Sequence, residues 1–144
     1  MFTRILVPTD GTELSLKAVR GAVKMAQRLN ASIVGMTVVE PYACMPLADY
    51  RAEQAGDYEQ RMEAVGRDRL AQLEADAKTA NVAVETTVAR SCSPYEAIIE
   101  TARRRECDVI FMASHGRKGL SAALLGSETQ KVLTHSDIPV VVYR

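Results

Sequence analysis

Short apolar runs alternate with one-sided, partly polar stretches along nearly the whole chain. Residues 4 to 9 (RILVPT), 32 to 39 (SIVGMTVV), 82 to 89, 108 to 113 and 138 to 143 are β-branched or apolar and have strand length. The runs around residues 5, 34, 109 and 140 lack polar alternation, which predicts strands covered on both faces. The stretch VAVETTVA, 82 to 89, alternates and predicts an edge strand. Between the runs the period changes. Leu14, Ala18, Ala22, Met25, Ala26 and Leu29 recur every three or four residues, with Lys17, Arg20, Lys24 and Arg28 on other faces and Thr12 as the cap. Met62, Val65, Leu70, Leu73, Ala77 and Ala80 mark a longer helix, whose outer, solvated face carries Glu59, Arg61, Glu63, Arg67, Asp68, Arg69 and Glu74. Ser93, Pro94 and Glu96 predict a capping box that opens a third helix with Tyr95, Ile98, Ile99 and Ala102 buried. Ser127 and Gln130 predict a second capping box and a fourth helix, and Pro139 leads to the last strand.

The order β-α-β-α-β-α-β-α-β predicts an α/β fold: a single open, mainly parallel five-stranded sheet with helices on both faces. In such a sheet the ligand crevice lies at the carboxyl ends of the strands, where strand order reverses. Length bears on domain count, and 144 residues predict one domain over 1–144. With 47% hydrophobic and 25% charged residues the chain is neither disordered nor fibrous. Eighteen basic and eighteen acidic side chains cancel, so no global field would gather nucleic acid or an anionic membrane. No apolar stretch is long enough to span a bilayer, and MFTRILVPTD does not read as a secretory leader. Cys44, Cys92 and Cys107 are widely spaced and lack a CxxC or a histidine neighbour, so they read as reduced cytosolic thiols with packing roles. Residues 41 to 56 (PYACMPLADYRAEQAG) form the only long irregular segment, read equally as a binding loop or a disordered excursion. Arg103, Arg104 and Arg105 fit a solvated helix end, and His135 a charge partner at the end of the fourth helix.

Two stretches have the chemistry for the crevice. VPTDGT, 7 to 12, ends a strand and turns through Asp10 and Gly11 into a helix, placing Thr9 and Asp10 at the sheet's carboxyl edge. Asp10 could hold a ribose hydroxyl, help place a metal or accept a phosphoryl group; an Asp-Gly turn without a ligand explains the same residues. The block FMASHGRKGLSAALLGSETQKV, 111 to 132, contains the parts of a phosphate cradle. Gly116 and Gly119 shape a turn, Arg117 and Lys118 bring charge, and Gly126-Ser127 opens a helix. It is neither a Walker loop nor a GxGxxG fingerprint.

This block resembles the nucleotide-binding signature of the universal stress protein family: glycine, two residues, glycine, nine residues, then glycine followed by Ser or Thr. Gly116, the nine residues 117 to 125 and Gly126-Ser127 keep the spacing, while Ala113 stands where the first glycine belongs. The opening ILVPTDGTELSLKA, the second strand's end TVVE and the terminal SDIPVVVYR are similar to that family too, so the resemblance spans nearly the whole chain. It implies a Rossmann-like fold of the adenine nucleotide alpha hydrolase-like kind, in a cytoplasmic stress-response module that binds ATP, with or without Mg2+. The implied adenine pocket lies near Pro8, Thr9 and the backbone of Val38, with Asp10 and Ala113 towards the ribose and Met112 also within the implied ATP site. The implied phosphate contacts are the backbone of His115, Gly116, Arg117, Gly126 and Ser127 and the hydroxyls of Ser127 and Thr129, with Ser114, Lys118 and Gly119 also within the implied ATP site. Glu128 would repel a triphosphate unless it turned away or held a magnesium ion. His115 has no nucleophile or acid at motif spacing, which favours positioning over acid-base work. No catalytic residue and no metal site of the protein's own is assigned, and any hydrolysis or self-phosphorylation would be slow.

The resemblance also implies a homodimer paired through the terminal strand, 138 to 143, besides unidentified protein partners. Ala113 and Glu128 leave a second reading open: a stress protein that binds no nucleotide and acts only through protein contacts. A third, a phosphoacceptor built on Asp10, lacks clustered acids for magnesium, with only Glu40 nearby.

Overall fold

The computed structural model describes residues 1–47, 54–116 and 124–144. Five strands alternate with four helices: β1 (Arg4–Pro8), α1 (Glu13–Leu29), β2 (Ser32–Val39), α2 (Ala55–Thr79), β3 (Val84–Arg90), α3 (Pro94–Arg104), β4 (Val109–Ala113), α4 (Ser127–His135) and β5 (Val140–Tyr143). All pairings are parallel, in the order β3-β2-β1-β4-β5. The alternating stretch is indeed an edge, and β5 is the other. One core layer, with Ile5, Val7, Val19, Ile33, Leu73 and Phe111, lies between the sheet and α1 and α2. The opposite layer, with Leu6, Val34, Met36, Ile98, Ile110 and Val132, faces α3 and α4. Successive strand residues point to opposite faces, so adjacent residues such as Ile5 and Leu6 serve the two layers.

Strand order reverses between β1 and β4. Their register joins Ile5 to Val109 and Leu6 to Ile110, while β4 stays paired with β5 as far as Ala113 and Tyr143. The β1–β4 ladder therefore stops short of both carboxyl ends, and a crevice opens between Pro8 and Ala113. Such a switch point is where open α/β sheets receive ligands.

Several local expectations are corrected. The 41 to 56 stretch is not irregular throughout: Tyr42–Cys44 form a 3-10 turn and α2 already begins at Ala55. Residues 48 to 53 lie outside the described residues. Neither capping box forms. Ser93 is the N-cap of α3 but makes no side-chain cap bond, and Glu96 instead accepts from the Tyr95 hydroxyl at 3.0 Å. At α4 the N-cap is Gly126, and the Gln130 side chain donates to the Leu125 carbonyl at 3.3 Å. Thr12 does cap α1, accepting from the Ser15 N–H. The arginine run at the end of α3 is ion-paired on the surface, Arg103 with Asp137 and Arg104 with Glu100. The His135 ring meets the Lys131 carbonyl at 2.8 Å and the Tyr95 ring at 5.0 Å. The reduced-thiol reading holds for Cys107, which is buried and free, whereas the structure brings the sulfurs of Cys44 and Cys92 together, within reach of a disulfide.

Candidate functional site

On the β1 side, the chain must reverse within a few residues to enter α1. Gly11 makes this possible at φ 79°, a conformation that a side chain would strain. The Asp10 carboxylate accepts from the Thr12 N–H at 3.0 Å and from its hydroxyl at 2.7 Å. Thr9 is buried, its hydroxyl 2.8 Å from that of Ser15, and its N–H donates to the Met36 carbonyl at 2.8 Å. These bonds fix Asp10 at the mouth of the crevice.

Facing it, β4 ends in Met112 and Ala113 and is followed by Ser114, all buried. The Ser114 N–H donates to the Tyr143 carbonyl at 3.0 Å, and the Ser114 carbonyl accepts the Gly126 N–H at 2.8 Å. The second bond brings the start of α4 back onto the end of β4. Thr129 reinforces it from the first turn of α4, its buried hydroxyl donating to the Ala113 carbonyl at 3.1 Å. Ser114 and His115 share a contact of 3.1 Å between Oγ and Nδ1.

The two glycines are sites of close approach. A Cβ on Gly116 would come within 2.5 Å of Asp10 Oδ2, so this loop lies directly against the β1 carboxylate. A Cβ on Gly126 would lie 2.9 Å from His115 Cα and 2.8 Å from its Cβ. The structure thus brings Asp10, His115, Gly116 and Gly126 together. Arg117, Lys118 and Gly119 lie outside the described residues.

Ala113 and Glu128 both have clear positions. Ala113 continues β4 in register with Tyr143 and is not among the residues with positive φ. Its methyl packs in the core layer beneath α1, so alanine meets no backbone penalty there. Glu128 turns towards α3: its carboxylate accepts the Tyr95 N–H at 2.9 Å and lies 3.4 Å from Lys131 Nζ.

The sequence reading missed the contribution of α2. A cavity of about 480 Å³ beside Asp10 and Gly11 is lined by Leu16, Arg61, Val65, Asp68, Arg69 and Gln72, among others. Arg69 donates from Nη1 to the Val38 carbonyl at 3.3 Å, which ties α2 to the end of β2. The helical pattern of the sequence puts both arginines on a solvated outer face. A helix of 25 residues turns through several faces, and the side carrying Arg61 and Arg69 looks towards the strand ends. The useful signal was Gly66, which lets α2 lie close on Val88 of β3. No group of three or more potential metal-ligating side chains occurs among the described residues.

A sheet with its crevice at this switch point, walled by an aspartate turn and a glycine-bounded loop, has matches among known proteins. The model of the universal stress protein family matches residues 1–144, and the chain belongs to that family. Universal stress protein YxiE of Bacillus subtilis is 32% identical, over 100% of both chains. Among solved structures, universal stress protein UspA from Lactobacillus plantarum superposes with a TM-score of 0.83 at 26% identity, covering 99% of this chain and 98% of that one. A universal stress protein in complex with cAMP gives 0.72 at 24% identity, over 99% and 97%.

Proposed function

We propose that this universal stress protein binds ATP in the β1–β4 crevice and works as a nucleotide-dependent interaction module. The observation that carries the reading is the convergence of Asp10, Gly116 and Gly126 at the switch point: a carboxylate and two glycines approach so closely that a side chain at either glycine would collide. Such an arrangement suits a ribose hydroxyl at Asp10 and phosphate oxygens against backbone N–H groups at the start of α4. The base would lie towards Pro8, Thr9 and the backbone of Val38, above the α2 cavity. Met112, Ser114 and His115 border the sugar and phosphates, while Ser127 and Thr129 lie in the first turn of α4. Arg117, Lys118 and Gly119 would complete the phosphate loop, and a magnesium ion would accompany the triphosphate.

Ala113 and Glu128 had favoured an empty pocket, and neither position obstructs the crevice. The methyl of Ala113 is in the core and the Glu128 carboxylate is on α3, which supports binding. Glu128 therefore acts as a strut beside the site. The cAMP-bound neighbour supports an adenine nucleotide as the ligand class. The outer edge of β5, short and apolar, suits pairing with a second copy, so the module is proposed to be a cytoplasmic homodimer.

Denaturing the purified protein and examining the supernatant by mass spectrometry, followed by calorimetric titration with ATP, tests the reading. Release of an adenine nucleotide, or saturable binding to emptied protein, is expected. An empty pocket together with no heat on ATP addition would overturn it and favour action through protein contacts alone.

A further inference from the structure

Cys44 and Cys92 lie at the corner where β2 and β3 end. Cys44 closes the 3-10 turn after β2, and Cys92 occupies the turn between β3 and α3. Their Cα atoms are 6.0 Å apart, within the span of a disulfide, although 48 positions separate them in sequence. Cys92 is exposed and Cys44 half-buried. The local backbone is held on both sides: the Ser91 N–H donates to the Val39 carbonyl at 3.1 Å, and the Cys44 N–H to the Pro41 carbonyl at 3.0 Å. Cys107 is different. It is buried, and burial pushes its thiol up to about 11, so it holds little thiolate at neutral pH.

The segment that carries Cys44 also reaches the candidate site. The Tyr42 N–H donates to Glu59 Oε1 at 3.0 Å, and the Tyr58 hydroxyl donates to the Glu40 carbonyl at 2.8 Å. The rings of Tyr42 and Tyr58 meet at 5.6 Å, and the Arg61 guanidinium lies 5.3 Å from the Tyr58 ring centre. Arg61 and Arg69 then line the cavity beside Asp10, and Arg69 holds the Val38 carbonyl. Besides the Ser91–Val39 bond, the ties at this corner among the described residues include the ion pairs of Arg90 with Glu59 and Glu63, which are partly solvent-exposed and individually weak. A Cys44–Cys92 bond would thus be the strongest tie, among the described residues, between the β3–α3 turn and the segment that follows β2.

We infer that Cys44 and Cys92 form a reversible redox latch, closed by a small-molecule disulfide, that fixes residues 40 to 47 and the first turns of α2 and so tightens nucleotide binding. The last clause rests on the ATP reading given above. In closing, the exposed Cys92 thiolate attacks a disulfide such as oxidised glutathione, giving a mixed disulfide and releasing one glutathione thiol. The Cys44 thiolate displaces the second glutathione. One protein S–S bond forms as one glutathione S–S bond breaks; the two protein thiols lose two electrons and two protons, and the products are two glutathione thiols. A dithiol reductant reverses both steps.

The test uses the full chain equilibrated with oxidised glutathione or with dithiothreitol, alongside Cys44→Ser and Cys92→Ser. Alkylation and peptide mass spectrometry should find a Cys44–Cys92 cross-link only in the oxidised wild type, with Cys107 unmodified. Amide hydrogen exchange over residues 40 to 47 and 55 to 62 should then slow by about tenfold, as local opening is suppressed, while both serine variants stay at the reduced rate. ATP titration should show the oxidised form binding about fivefold tighter, because less ordering remains to be done on binding. Absence of the cross-link, or a cross-link without slowed exchange, overturns the latch. Slowed exchange with equal ATP affinity overturns its control of the site. Slowed exchange with no ATP binding in either form upholds the latch and refutes the nucleotide reading instead.

Discussion

The amino ends of α3 and α4 are solved in opposite ways. At α3, Pro94 fills the first position, where no N–H is needed, and the next N–H, that of Tyr95, is taken by the Glu128 carboxylate from across the interface. At α4 the cap is Gly126, which has no side chain to offer, and no side-chain cap bond forms there among the described residues. One helix thus receives an internal anion, and the other opens beside a crevice without a side-chain cap. Unpaired N–H groups and the positive end of the helix dipole favour an anion at such a terminus. The carboxylate that could have capped α4 from its own first turn is spent on α3. This division supports phosphate at α4 and a purely structural role at α3.

The contrast can be broken most strongly at Gly126. Gly126→Val would drive a side chain against the His115 backbone, and overpacking of this kind costs about 1–3 kcal/mol of stability. ATP affinity should fall by about a hundredfold, since the distortion lands on the proposed phosphate contacts. Calorimetry and urea melts measure the two effects together. Gly116→Val should separate them: the obstructing atom is a carboxylate oxygen of Asp10, not backbone, so affinity falls by about tenfold while the fold and the proposed dimer persist. Equal ATP affinity in this variant would remove the cradle.

Glu128→Ala probes the α3 side. Losing an acceptor at a helix start costs about 1 kcal/mol, which for a chain of this size lowers Tm by about 2–4 °C. ATP affinity should hold or rise, and a collapse would return Glu128 to the binding site. The smallest effect is expected far from both termini, at Asp108, which ties the start of β1 to the turn before β4. Burial alone would raise its pKa, but bonds from the Thr3 N–H, the Thr3 hydroxyl and the Arg4 N–H outweigh burial and leave it lowered. A lowered folded-state value stabilises the protein above the unfolded value of about 4, and the contribution is lost as pH falls through the folded value. The stability gap between wild type and Asp108→Asn should therefore narrow on acidification, in melts taken from neutral pH downwards.

The strands and the two walls of the crevice were legible because their signals are local. An apolar run bounded by Asp-Gly, or a glycine at fixed spacing from another, carries its meaning within a few residues. The edge position of β3 was readable for the same reason, from its alternation. What escaped depends on partners distant in sequence. Ser93 and Glu96 have the spacing of a capping box, but Glu128 from another helix outcompetes them for the α3 terminus. Arg69 looked like one more charge on a solvated helix, and only the approach of α2 to β3 turns it towards Val38. Cys44 and Cys92 become neighbours only once β2 and β3 lie side by side. Ala113 raised a question about backbone conformation that its place in β4 answers.

The strand order also bears on how the chain reaches its native state. β1 lies at the centre of the sheet, yet its β4 neighbour pairs Ile5 with Val109, which follows only after three helices and two further strands. During synthesis β1 can join β2 early, but its other edge waits until most of the chain has emerged from the ribosome. Long-range parallel pairing of this kind raises contact order and slows folding. Until β4 arrives, the fully buried Ile5 and Leu6 belong to an open, apolar edge, the kind of surface on which unfinished chains aggregate and which chaperones shield.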